Sequence, residues 1–146
     1  MILNKKQDWR ISFDKFVNAS QNKLFEWGTW DCILFTDAMI KKLTGKNLLP
    51  KQWKWTNKEE AMKAIKKYGK GKGLAAAIDN AVDKVQGIYR IDPMFMTKGD
   101  FLVYKEETEL TAIFDGFKIL CPNSDDGLIV KDPITVEILA VWRIDG

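Results

Sequence analysis

Apolar residues change their spacing near Pro93, and that change constrains the fold more than any other feature of the chain. Upstream, Trp9, Phe13, Phe16 and Val17 recur at steps of four, three and one, which is one face of a helix over about 8–21 with Asp8 as a candidate cap. A second helix is expected over about 31–43, closed by Thr44-Gly45, because glycine suits the left-handed position that ends a helix. Thr56-Asn57-Lys58-Glu59 has the spacing of a capping box and predicts a third helix ending at Tyr68. Leu74, Ile78, Ala81, Val82 and Val85 share one helical face and predict a fourth, closed by Gly87. Downstream, short β-rich runs occupy 101–104, 111–114, 117–121, 127–130 and 136–144, with Asp115-Gly116 and Asp126-Gly127 as hairpin turn pairs. About four helices followed by a small antiparallel sheet of about five strands make a single α+β domain over 1–146.

The helix expected at 31 begins with the pair that carries the chemistry. Asp31 can cap it by accepting a free N–H of the first turn, which makes Cys32 the first helical residue. A thiol at the positive end of a helix macrodipole has its pKa lowered, and cysteine hydrolases place their nucleophile there. The competing reading makes Cys32 a small buried hydrophobe packed beside Ile33 and Phe35. The chain contains no histidine, so the imidazole that normally takes and returns the thiol proton is absent.

Other segments offer less. The formal charge of +3, from 23 basic and 20 acidic side chains, argues against nucleic acid as a partner. Lys5-Lys6, Lys41-Lys42 and the lysines of 63–72 are the basic clusters, the last read as a solvated helix face. Trp53 and Trp55 alternate with lysines and form either a stacking platform for sugars or bases or a lid folded back on the core. Gly69-Lys70-Gly71-Lys72-Gly73 lacks the spacing of a phosphate loop and reads as a helix end followed by a joint. Asn123, Asp125 and Asp126 lack the spaced carboxylates and closing Glu of a calcium loop and read as a turn. Cys32 and Cys121 cannot supply a four-ligand zinc site; one bridge between them stays open, with a reduced pair favoured. No metal or cofactor is expected. The first ten residues do not have the pattern of a signal peptide, and no run approaches the roughly 18 apolar residues of a membrane span.

Trp27-Gly28-Thr29-Trp30-Asp31-Cys32 opening a helix, with Gly99-Asp100 leading into the first strand of a small sheet, resembles the NlpC-type cell-wall cysteine peptidases, which have a papain-like fold. The likeness is greater to a phage-encoded branch of that superfamily found among tail and virion genes of tailed phages. Trp9, Phe25, Phe35, Ala38, Thr44-Gly45, Gly127-Leu128 and the closing Ala140-Val141-Trp142-Arg143-Ile144 extend it over most of the chain. The resemblance places Cys32 at the nucleophile and puts Leu110, or Thr111 with a one-residue shift, where the catalytic histidine belongs. Neither side chain is a base near neutral pH.

The resemblance therefore implies a non-catalytic module: a structural, adaptor or tail-associated component of a phage virion, made in the host cytoplasm without a signal peptide. Its implied partners are other virion or tail proteins, with peptidoglycan as a further contact, no membrane insertion, and nucleic acid disfavoured. Trp30, Trp53 and Trp55 are the candidate contact residues. The alternative is a hydrolase of cell-wall peptides that uses Cys32 beside Asp31 and a base of another kind, a lysine, Asp100 or an imidazole from a neighbouring chain.

Overall fold

The computed structural model describes residues 1–146. Helix α1 (Trp9–Ser20) buries Trp9, Phe13 and Phe16. Asp8 stands at its N-cap, but the carboxylate makes no capping bond, a correction to the expected role. Helix α2 (Cys32–Thr44) is capped by Asp31 and stopped by Gly45 in the left-handed conformation at φ 89°. Helix α3 (Lys58–Tyr68) is capped one residue later than the Thr56 box suggests. Asn57 accepts the Glu60 N–H at 2.9 Å, while Glu60 reaches back to the N–H and hydroxyl of Thr56 at 2.9 and 2.7 Å. The box has slid by one residue, since asparagine caps at least as well as threonine. Helix α4 (Leu74–Val82) ends short of Val85, the chain leaving through a tighter turn in which Val85 N–H donates to the Val82 carbonyl.

Six strands follow rather than five: β1 (Ile88–Ile91), β2 (Phe101–Lys105), β3 (Glu109–Phe114), β4 (Ile119–Asn123), β5 (Gly127–Lys131) and β6 (Glu137–Ile144). They form one antiparallel sheet in the order β1-β6-β2-β3-β4-β5. β1 is the strand that spacing misses. It has four residues, only Ile88 is buried, and it is held by pairing with β6 at the far end of the chain. Single 3₁₀ turns at Pro93–Phe95 and Pro133–Thr135 lead into β2 and β6, each capped by the preceding aspartate.

The alternation of strand side chains splits the core into two layers. Phe101, Val103, Ile113, Leu120, Leu128, Ala140, Trp142 and Ile144 join the helices in the larger cluster. Leu102, Tyr104, Ala112, Phe114, Ile119, Cys121 and Val141 form a smaller one on the opposite face. Each fully buried large apolar side chain contributes on the order of 1.5–3 kcal/mol. Helix α2 packs on α1, β3 and β4, and this sets the first turn of α2 against β3. No helix is long and apolar enough to cross a membrane.

Candidate functional site

Around Cys32 the local chain is set by Gly28. Its φ is +81°, and a Cβ there would lie 2.5 Å from the Trp55 carbonyl oxygen, so only glycine lets the turn before α2 pack against the segment carrying Trp53 and Trp55. Trp30 N–H donates to the Glu26 carbonyl at 2.8 Å and closes that turn. Asp31 follows, with none of its surface exposed. One carboxylate oxygen accepts the Leu34 N–H at 2.9 Å, and the other accepts the Gly28 N–H at 3.0 Å and the Trp55 indole N–H at 2.7 Å. Every one of these is a charge-assisted bond in a dry setting, where such bonds are strongest. Asp31 thus ties together the turn, the helix and the lid, and its oxygens are committed to that work.

Cys32 is the first residue of α2, as its place after Asp31 predicts, and is 4% exposed. Burial pushes its pKa up to about 12, and the Asp31 carboxylate adds to the rise. Thr111 on β3 opposes it: its hydroxyl and its backbone both face the sulfur and favour the thiolate. The hydroxyl does not reach hydrogen-bonding geometry, and Thr111 Oγ1 is one of two buried side-chain polar atoms without a partner. The helix dipole expected to lower the thiol pKa loses to desolvation, which is the larger effect for a fully buried group. At that pKa roughly one molecule in 10⁵ carries a thiolate at pH 7. None of the five principal clefts is lined by Cys32, Asp31 or Thr111.

The other candidates are placed elsewhere. Asp100 is fully buried and grips Arg143 through two bonds of 3.0 and 2.9 Å, while also accepting the Thr97 N–H at 2.7 Å. Its carboxylate is engaged at the start of β2 and serves the fold there. Trp30 is half-buried between Phe16 and Phe35, with ring centroids 6.0 and 5.5 Å away, and Lys23 lies 3.9 Å over its ring. Its indole N–H is buried and unpartnered. Trp53 and Trp55 are 7% and 6% exposed: they fold back as a lid, Trp53 stacked on Tyr68 at 4.7 Å and Trp55 bonded to Asp31. Cys121 sits on the opposite face of the sheet from Cys32, beside the Tyr104 hydroxyl at 3.2 Å, and both cysteines are free.

One residue with a large structural role escaped the sequence reading. Asp37, on the buried side of α2, accepts the N–H groups of Leu48 and Leu49 at 2.7 and 3.2 Å and the Asn47 amide at 2.8 Å. Burial raises its pKa against those donors. An aspartate within the apolar run Cys32-Ile33-Leu34-Phe35-Thr36-Asp37-Ala38-Met39 is the available signal, since such a carboxylate must find donors. No three His, Cys, Asp or Glu side chains converge to hold a metal ion.

Comparison with known proteins adds a family. No curated protein matches the chain. A model for a domain of unknown function, DUF6950, matches residues 4–144, which takes in all four helices and all six strands. The buried Asp31-Cys32 junction and the sheet that closes over it are therefore features of a chain that belongs to the DUF6950 family.

Proposed function

We propose that this chain is a non-catalytic, papain-like module of the NlpC type that serves as a structural, adaptor or tail-associated component of a tailed-phage particle. The observation that supports it is the surroundings of Cys32: a protonated, buried thiol faced by Thr111, in a chain without histidine. Thr111 is also one of the two positions where the resemblance to the NlpC-type peptidases puts the catalytic imidazole. A threonine there leaves the sulfur with no group to shuttle its proton, and general-base catalysis typically supplies about two to four powers of ten in rate. Asp31, the nearest carboxylate, holds three N–H groups and raises the thiol pKa. Cys32 then serves as a small core side chain at the α2–β3 contact.

The experiment is genetic and biochemical together. In the phage that encodes the chain, Cys32→Ala is expected to leave particle assembly and infectivity near wild type, while deletion of the whole gene abolishes one of them. Cleavage of purified cell wall by the wild-type protein, lost in Cys32→Ala, would overturn the reading in favour of a hydrolase.

A further inference from the structure

Charge along this chain is segregated. Twelve lysines stand between positions 41 and 84 against four acidic residues, Glu59, Glu60, Asp79 and Asp83, so the small net charge conceals a strongly basic region and an acidic remainder. All five ion pairs of the molecule use Arg90, Lys98, Lys118, Lys131 or Arg143 as the cation. None of the twelve lysines takes part in an ion pair.

The fold gathers them on a groove. Lys41, Lys46, Lys51, Lys54 and Lys84, all exposed, line a cleft of about 720 Å³ between α2, the segment after Gly45 and the end of α4. Between them the floor carries the apolar side chains of Leu34, Leu49, Pro50, Trp53 and Val85, with Asp37 and Asn47 also in the lining and Asp37 taken up by its bonds to residues 47–49. A second cleft of about 310 Å³ continues from it through Pro50, Trp53 and Lys84 and adds Lys67 and Lys70 against one carboxylate, Asp83. One wall is rigid, because Asp37 holds the backbone of Leu48 and Leu49 from beneath. Five lysines against one carboxylate give the groove a positive field that attracts an anion.

The chemistry of the lining selects the anion. A phosphate backbone would be met by the lysines, but an apolar floor offers it nothing, and the Trp53 face that could stack a base already lies on Tyr68 at an interplanar angle of 13°. No arginine lines either cleft, so the fork that grips phosphate or reads bases is absent. Carboxylates for the rim and aliphatic side chains for the floor are what an acidic, amphipathic peptide supplies. We propose that this groove docks an acidic segment of a partner protein whose apolar side chains fill the floor between the lysines. The proposal rests on the module reading and names the chemistry of its partner. Docking involves neither Cys32 nor Thr111, so its failure would leave the inertness of the thiol untouched, and a reactive thiol would leave the docking result standing.

The test uses the full chain and a short fluorescein-labelled peptide of repeated Glu-Leu-Glu units, followed by anisotropy. Comparison probes are the same peptide with serine for leucine and a DNA duplex. The leucine peptide is expected to bind, and to lose about tenfold or more in affinity both on the change to serine and in the Lys41→Glu/Lys51→Glu/Lys84→Glu variant. Lys15→Glu/Lys105→Glu, with charge reversed outside the groove, is expected to bind like wild type, and thermal melts confirm that both variants fold. Absence of binding, equal binding of the serine peptide, tighter binding of the duplex, or undiminished binding by the triple variant would each overturn the proposal.

Discussion

The Trp55 indole N–H donates to the Asp31 carboxylate at 2.7 Å across 24 residues of sequence, joining the lid to the first turn of α2. That single bond makes the Trp-Gly-x-x-Asp-Cys stretch an architectural junction, because the same carboxylate also holds Gly28 and Leu34. Asp31→Ala removes a helix cap, worth about 1 kcal/mol, and strands two further buried N–H donors at about 1–3 kcal/mol each. A total loss of about 3–7 kcal/mol is expected by urea unfolding. Trp55→Phe, which removes the donor along with part of the buried ring, is expected to cost about 1–3 kcal/mol for the lost bond, with the cavity adding to it.

Asp100 and Arg143 form the other buried commitment. Arg143→Ala leaves a fully buried carboxylate whose remaining side-chain bond is the Thr97 N–H, and is expected to destabilise by about 3–5 kcal/mol. Arg143→Lys cannot reproduce the two-pronged contact, and its melting temperature is expected well below wild type.

Thr111 should behave in the opposite way. Its hydroxyl is buried without a partner, so Thr111→Val replaces an unsatisfied polar atom by a methyl of similar shape. The variant is expected to match or exceed wild-type stability by up to about 1 kcal/mol in the same unfolding assay, and to raise the Cys32 pKa further by removing the hydroxyl that favours the thiolate.

Stability should fall in alkali. Burial raises the Cys32 pKa from 9.0 to about 12, and raises those of Cys121 and Tyr104 as well. The folded chain therefore keeps protons that the unfolded chain releases, and stability, fully present below pH 9, declines as pH climbs toward 12. The Cys32 thiol contributes a slope of up to about 1.4 kcal/mol per pH unit in that window, and Cys121 acts in the same direction. Denaturation midpoints between pH 7 and 10.5 measure it, and Cys32→Ala is expected to flatten the decline.

The helices were legible because their apolar faces are long and regular: Trp9, Phe13 and Phe16 all lie in the core as their spacing requires. Strand β1 was not, because four residues with one buried side chain carry no period, and its partner β6 lies more than 45 residues away. The capping box slid by one position because Thr56 and Asn57 are both competent caps and Glu60 serves them together. At the site, Asp31 as cap and Cys32 as first helical residue follow from local rules. The thiol's protonation does not, since desolvation depends on how β3 closes over α2, a contact between residues about 80 positions apart. The lysine groove is legible only in part: the excess of lysine over 41–84 stands in the sequence, but that Lys41, Lys51 and Lys84 line one cleft is set by the fold.

Alkylation of the native protein by iodoacetamide at pH 7.5, read site by site by mass spectrometry with and without denaturant, distinguishes a core thiol at Cys32 from a nucleophile. Cys32 is expected to stay unmodified while the chain is folded and to react at the rate of an ordinary thiol once it is unfolded. Rapid modification of Cys32 in the native state, faster than that of a free cysteine, would contradict it.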